Sequence, residues 1–226
     1  MLTLVPNMTP STETAPDQGA GNNPQEEDKP RSCLDRRPVT AEDDDRRNGG
    51  VGWINYWAKE KYESGGRRTR PTGAQACLSG SPDGDRGTEA GGNITGWADA
   101  QSIAKDGGFT VNSQETPLAR CHFIARELGG RGKAANLAPC FQVGTNTGPG
   151  SMRSFEISVG AALNNQEIVE YTVIALYNSP SSTIPKAFFM VAFGQKVDGR
   201  PGVRDFAWVR NEKFNLDTGS MVQLGN

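Results

Sequence analysis

The 226-residue sequence is short of apolar residues and contains no long apolar run. Because a membrane-spanning helix needs about 20 consecutive apolar residues, the sequence predicts no transmembrane helix. Hydrophobic residues make up 35% of the chain, which also contains 28 glycines and 14 prolines. This composition argues against a helical bundle and predicts an α+β fold with long connections. The length fits one globular domain with a tail.

Cysteine and histidine are scarce as well. The four cysteines, Cys33, Cys77, Cys121 and Cys140, allow two disulfides in three different pairings, which would suit an oxidising compartment. Four reduced thiols are the alternative that the count leaves open. No signal peptide is indicated, because residues 1–10 have no basic region and only a short apolar patch. Export would therefore need another route or a longer chain.

The net charge of −2 is small, but it is unevenly distributed. Residues 1–45 carry ten acidic and four basic residues, whereas residues 46–226 carry sixteen acidic and twenty basic ones. Residues 1–50 are also rich in Pro, Gly, Asn and Thr, with almost nothing to bury, which predicts a disordered acidic leader. Residues 51–226 form the predicted domain, whose modestly basic charge is compatible with phosphate binding.

Apolar periodicity predicts a sheet and a helix within this domain. Met152–Leu163 has one apolar stripe at helical spacing, with Ser151 as a candidate N-cap. Alternating or continuous apolar runs predict four strands, at Ala74–Leu78, Glu167–Tyr177, Ala187–Val197 and Phe206–Arg210. Residues 66–118 otherwise contain glycine-rich turns, which predict irregular structure. The expected fold class is α+β with a central antiparallel sheet.

The only histidine, His122, lies among polar residues with apolar neighbours. Arg120, two positions earlier, offers a planar fork of donors that suits phosphate. A nearby guanidinium favours the neutral imidazole, which is the state that a general base needs. A surface or partly buried histidine with no chemical role is the simpler interpretation of this residue taken alone.

Five sequence elements follow one another around and after this histidine. They are Arg120-Cys-His122-Phe, Gly129-Gly130, Asn136-Leu137, Asn146 and Glu156. Their order resembles the DNA/RNA non-specific endonucleases of the ββα-metal superfamily, whose pattern is Arg-Gly-His-Leu, Gly-Gly, Asn-Leu and an Asn at the head of a helix that bears Glu. The resemblance covers about residues 66–210 and looks closest to the toxin-like bacterial branch.

The resemblance implies a ββα-metal active-site element that holds one divalent cation, Mg²⁺ or Mn²⁺. Asn146 is implied as its direct ligand and Glu156 as a second contact through water. His122 is implied as the general base, Arg120 as a phosphate clamp, and Asn136 as a residue that orients the histidine or a loop. Magnesium dehydrates reluctantly and needs few protein ligands, so such a sparse site is chemically reasonable.

Purely structural interpretations of two of these residues stay open. Asn146 lies in a glycine-rich turn, where asparagine is common for backbone reasons. Glu156 lies one turn into the predicted helix, where the helix dipole favours a carboxylate. The spacing of ten positions from Asn146 to Glu156 exceeds the family's usual eight, which indicates an insertion near Gly148-Pro149.

Cys121 stands where the family has glycine. Either the backbone there does not require a positive φ, or the site is impaired. In the ββα element that the resemblance implies, Cys140 is expected beside the histidine strand, so we expect the disulfides Cys121–Cys140 and Cys33–Cys77. A zinc site formed by Cys121, His122 and Cys140 competes with this interpretation, but structural zinc ligands usually come in pairs two to four residues apart.

The resemblance predicts metal-dependent, non-specific hydrolysis of phosphodiester bonds in DNA, RNA or both. No motif that reads the major groove is visible, which fits sequence-independent contacts to phosphate. The family branch further suggests a toxin nuclease that is secreted or delivered to another cell, with a cognate immunity protein that covers its site. The alternative is a nucleic-acid-binding or interaction module in which Cys121 has impaired catalysis.

Overall fold

The computed structural model describes residues 32–41, 52–62, 68–81 and 87–226, which form an α+β fold. In chain order the strands and helices are β1 (Gly52–Tyr56), β2 (Glu60–Lys61), β3 (Thr69–Arg70), β4 (Gly73–Leu78), α1 (Trp97–Asp106), β5 (Leu118–His122), β6 (Leu137–Phe141), α2 (Met152–Asn164), β7 (Ile168–Leu176), β8 (Ala187–Gln195), β9 (Pro201–Arg210), β10 (Glu212–Asn215) and β11 (Ser220–Gln223). Two short 3-10 turns, Cys33–Arg36 and Arg126–Leu128, complete the set.

The centre of the fold is a five-stranded sheet with the order β1-β4-β7-β8-β9. Every neighbouring pair of its strands is antiparallel, as the sequence predicts. In β7 buried and half-buried residues alternate strictly, because successive side chains of a strand point to opposite faces. Val169, Tyr171, Val173 and Ala175 therefore point into the main core.

Helix α2 packs on the inner face of this sheet. The five apolar residues of its predicted stripe are all buried, namely Met152, Phe155, Val159, Ala162 and Leu163. The Ser151 hydroxyl accepts a hydrogen bond from the N–H of Ser154 at 3.4 Å, which confirms Ser151 as the N-cap. No helix in the described part of the chain is long and apolar enough to cross a membrane.

Strands β5 and β6 form a separate antiparallel hairpin, which α2 follows in the chain. Together the three elements make the expected ββα unit. The Cys121–Cys140 disulfide joins the two strands, and both cysteines are fully buried in the main core. This hairpin and α2 carry the predicted site residues, so their packing sets the geometry of the site.

The second disulfide, Cys33–Cys77, joins the first 3-10 turn to β4. Trp53 packs with these two cysteines, and its indole N–H donates to the Cys33 carbonyl at 3.1 Å. Both expected disulfides are therefore present, and all four cysteines are oxidised. Most of the predicted leader, residues 1–50, lies outside the described residues, and residues 32–41 are its only described part.

The expectation of irregular structure over residues 66–118 is wrong at α1. This helix fully buries only two small residues, Ala100 and Ala104, with Trp97 and Ile103 half-buried beside them, so its apolar side is short and offers few large apolar residues. Its N-cap, Gly96, has a left-handed backbone and provides no side-chain cap. The helix packs on a second apolar cluster that includes Leu118 and Phe141, at the outer end of the β5–β6 hairpin.

Candidate active site

Strand β5 presents His122 to the surface of the ββα unit. The Cys121 side chain points into the core, whereas Arg120 and His122, one position to either side, are half-buried on the other face. This alternation follows from the period of two in a strand. Cys121 does not have a positive φ, so the β5 backbone accepts a side chain at the position where the family has glycine.

The half-buried face of β5 borders a cavity of about 490 Å³ between the hairpin and α2. Four of the five predicted site residues line it, namely Arg120, His122, Asn146 and Glu156. The other polar residues in its lining are Glu89, Arg126, Glu127, Gln142, Thr147 and Arg153. Most of the lining therefore comes from the consecutive elements of the ββα unit, and Glu89 and Ala90 join it from a segment that lies earlier in the sequence.

His122 is held through its Nε2 atom, which lies 3.1 Å from the Thr88 carbonyl oxygen. Because a carbonyl can only accept a hydrogen bond, Nε2 carries the proton and Nδ1 of the neutral ring is the acceptor. Burial lowers the pKa of His122 below its usual value, and the positive charge of Arg126 acts in the same direction. The Thr88 carbonyl and Glu127 oppose this effect. A neutral imidazole at pH 7 follows.

The lowered pKa of His122 predicts how the rate of any reaction in which the histidine acts as a base falls at acidic pH. Only the unprotonated ring accepts a proton, so kcat/KM should rise with pH through the lowered pKa and level off above it. We expect the midpoint of this fall to lie below 6.5, the ordinary pKa of histidine. A profile of kcat/KM at saturating Mg²⁺ would measure it, and a midpoint above 6.5 would contradict the prediction.

Asn146 lies in the turn between β6 and α2. Its main chain is fixed at both ends, because its N–H donates to the Phe141 carbonyl at 3.0 Å and its carbonyl accepts from the N–H of Arg153 at 3.1 Å. Its side-chain Nδ2 donates to Gln142 Oε1 at 3.3 Å. This contact uses the nitrogen end of the amide and leaves Oδ1 for a ligand.

Glu156, in the second turn of α2, lines the same cavity. Burial raises the pKa of its carboxyl to about 8, with the negative charge of Glu127 adding to the rise and Arg153 opposing it. Among the described residues, no three His, Cys, Asp or Glu side chains are grouped to form a metal cage. An amide oxygen and a carboxylate instead provide few, hard oxygen donors, which fits a largely hydrated Mg²⁺ or Mn²⁺.

Arg120 has partners at the rim of the cavity. Its Nε donates to the Gly92 carbonyl at 3.1 Å, and its guanidinium carbon lies 4.1 Å from the centre of the Trp97 ring. Two further arginines in the lining, Arg126 and Arg153, pair with Glu89 and Glu127 at 2.9 and 3.0 Å. Neither is among the predicted site residues, because an arginine in this sequence context is equally typical of a solvated surface.

Asn136 is the predicted site residue that lies outside the cavity. Its buried side chain accepts from the N–H of Ile124 at 2.9 Å and donates to the carbonyls of Ile124 and Arg131 at 3.0 and 2.9 Å. Gly130 packs against the same loop, since a Cβ there would lie 1.7 Å from the Ile124 oxygen. Asn136 therefore fixes the loop that follows His122. None of these three hydrogen bonds involves the imidazole.

The competing zinc site is excluded by the chemistry of its ligands. Cys121 and Cys140 are joined to each other, so neither offers a thiolate. Their sulfurs also lie in the core, on the opposite face of β5 from His122.

Comparison with known proteins identifies the family of this chain. The sequence profile of the DNA/RNA non-specific endonuclease family matches residues 53–195, more than half of the chain. The chain belongs to this family. The matched range contains the whole ββα unit and every predicted site residue. A search of the curated proteins gave no match.

Solved structures of similar fold include NucA from Streptococcus agalactiae. Its magnesium-bound structure has 16% sequence identity and a TM-score of 0.52, with 76% of this chain and 80% of that chain covered. Its metal-free structure has 16% identity and a TM-score of 0.50, with 79% and 81% covered. At 16% identity the likeness concerns the fold alone, which is similar to that of NucA.

Proposed function

We propose that this chain is a divalent-metal-dependent endonuclease that hydrolyses phosphodiester bonds in DNA, RNA or both. The observation that carries the proposal is one cavity that contains a neutral, oriented imidazole together with two oxygen donors, Asn146 and Glu156. A base and a sparse cation site side by side are what phosphodiester hydrolysis requires.

His122 acts as the general base in this proposal. Its Nδ1 takes a proton from the attacking water as the water oxygen bonds to phosphorus and the bond from phosphorus to the leaving oxygen breaks. The contact from Nε2 to the Thr88 carbonyl stabilises the imidazolium that results, because a ring N–H donates more strongly once the ring is charged. The proton then returns through solvent to the leaving group.

Asn146 and Glu156 are the residues that would hold Mg²⁺ or Mn²⁺. Such an ion, when bound, supplies positive charge that stabilises the transition state at phosphorus. Asn146 contributes Oδ1, whose direction the Gln142 contact fixes. Glu156 contributes a carboxyl that a cation would bring into its charged form, since burial otherwise favours the neutral form.

Arg120, Arg126 and Arg153 line the same cavity, and their guanidinium groups can contact phosphate once Arg126 and Arg153 leave their glutamate partners. Contacts from arginine to phosphate carry no sequence information, so we expect cleavage with little sequence preference and strong dependence on salt. Asn136 supports this arrangement indirectly, by holding the loop after His122.

We further propose that the protein works outside the reducing cytosol, as a secreted nuclease or as a toxin delivered to another cell. Two native disulfides support this, because structural disulfides persist in oxidising compartments. A toxin of this kind requires a cognate immunity protein, and a partner that covers the cavity at His122 would block the site.

Asn146→Ala tests the cation site. The variant removes the only amide oxygen donor proposed for the ion, so we expect the Mg²⁺ concentration for half-maximal cleavage to rise at least about tenfold. Asn164→Ala, at the exposed C-terminal end of α2, is the matched control and should keep the wild-type Mg²⁺ dependence. An unchanged Mg²⁺ requirement in Asn146→Ala would remove Asn146 from the site.

A further inference from the structure

A loop of four residues, 87–90, lies far from His122 in the sequence and contributes Glu89 and Ala90 to the cavity lining. It contributes the Thr88 carbonyl that accepts the Nε2 proton of His122 at 3.1 Å. This oxygen decides the tautomer of the ring, because the nitrogen that does not face it is the one left to accept a proton. The catalytic atom of the proposed base is therefore selected by a main-chain group.

Hydrogen bonds on both sides of Thr88 hold the 87–90 loop in place. The N–H of Gly87 donates to the Arg126 carbonyl at 2.7 Å, and the Arg126 side chain pairs with Glu89 at 2.9 Å. The Thr88 hydroxyl accepts from the N–H of Gly132 at 2.7 Å. The loop is thus bound to the segment immediately after the His122 strand.

Close packing of main chains adds to these bonds. A Cβ on Gly132 would lie 1.7 Å from the Glu89 carbonyl oxygen, and a Cβ on Gly87 would lie 1.9 Å from the Gly130 oxygen. The two segments touch through their backbones, so a side chain at either glycine would force the 87–90 loop away. A shift of this loop moves the Thr88 carbonyl away from the imidazole.

We propose that the 87–90 loop is a positioning element for the base, in which Thr88, held by Gly132, fixes His122 in the Nε2–H tautomer. The expected effect of this loop on cleavage rests on the proposed function, whereas its expected effect on the tautomer of His122 does not. Thr88 and Gly132 act through His122 and are positioning residues. Loss of such a support for a reacting group typically lowers activity by about 10- to 100-fold.

The experiment uses the fact that His122 is the only histidine in the chain. Protein labelled with ¹⁵N at histidine gives one pair of ring nitrogens, and their chemical shifts and couplings to the ring protons distinguish the two tautomers. Spectra at a pH where the ring is neutral, together with cleavage rates, would be recorded for wild type, Thr88→Val and Gly132→Ala. Thr88→Val removes the hydroxyl with little change in shape, and Gly132→Ala displaces the loop by overlap.

Two control variants change Thr88 or a neighbouring glycine without disturbing the loop. Thr88→Ser keeps the hydroxyl acceptor. Gly91→Ala places a methyl group next to the loop, where an added Cβ meets no atom within 4 Å. We expect pure Nε2–H in wild type and both controls. In Thr88→Val and Gly132→Ala we expect a mixture of tautomers and a loss of cleavage of about 10- to 100-fold.

Either of two results would overturn the inference: an Nδ1–H ring in wild type, or a pure Nε2–H ring with wild-type cleavage in both test variants. If Gly132→Ala fails to fold, Thr88→Val decides alone, since Thr88 is exposed and the change removes the hydrogen bond from the N–H of Gly132. If the tautomer shifts as expected but wild type cleaves no nucleic acid, the positioning role is supported and the proposed function is rejected.

Discussion

Replacing His122 with alanine is expected to lower cleavage of nucleic acid by about 10²- to 10⁴-fold, the usual contribution of a general base. No second imidazole exists in the chain to substitute for it. The fold should survive, because within the described part of the chain the half-buried ring makes one hydrogen bond, to the Thr88 carbonyl. Rates of plasmid cleavage in Mg²⁺, together with the thermal unfolding midpoint, would measure the two effects separately.

Chemical rescue provides the control for this variant. Imidazole added to His122→Ala can enter the cavity that the ring has vacated, so part of the lost rate should return with increasing imidazole at a pH above 7. Wild type should not respond to the same additions. Wild-type rates in His122→Ala, with the fold intact, would show that the histidine has no catalytic role.

Removing the Cys121–Cys140 disulfide is expected to lower both the stability of the fold and the activity of the site. The bridge closes a loop of 19 residues, so its loss should lower the free energy of unfolding by about 3 kcal/mol. It also joins the strand that carries His122 to the strand that leads to Asn146. We therefore expect Cys121→Ala/Cys140→Ala to lose activity even in its folded fraction, as measured by urea unfolding and by cleavage at a temperature well below the midpoint.

The second disulfide supplies a matched comparison. Cys33–Cys77 closes a loop of 44 residues on β4, so Cys33→Ala/Cys77→Ala should lose about 4 kcal/mol. The cavity lining includes neither cysteine, and the folded fraction of this variant should retain wild-type cleavage. Equal losses of activity in the two double variants would mean that the disulfides act only through global stability.

The sequence predicts the helix that carries Glu156 because its apolar residues recur at helical spacing and all five are buried. It also predicts strands β7 and β8, since the first alternates apolar and polar residues and the second is a long apolar run. Helix α1 escapes prediction because it fully buries only two small residues, Ala100 and Ala104, and half-buries Trp97 and Ile103. Its N-terminus also lacks a side-chain cap, so a ten-residue segment among glycine-rich turns resembles irregular structure.

The sequence likewise predicts part of the site and misses the rest. The ordered motif brings four of five predicted residues into one cavity, because β5, β6 and α2 are consecutive and their geometry is local. Asn136 lies outside it, since spacing alone does not distinguish a side chain that enters a cavity from one that holds a loop. The contact of His122 with Thr88 is invisible in the sequence, because every residue has a carbonyl and this one comes from 34 positions away.

The most direct test of the central claim is degradation of plasmid DNA and total RNA by the purified, oxidised protein, with Mg²⁺ and with a chelator. The account predicts cleavage of DNA, RNA or both that requires the divalent ion, stops with the chelator and shows little sequence preference. No cleavage by folded wild-type protein in either Mg²⁺ or Mn²⁺, together with affinity for polynucleotide that needs no divalent ion, would contradict the account and favour a binding module.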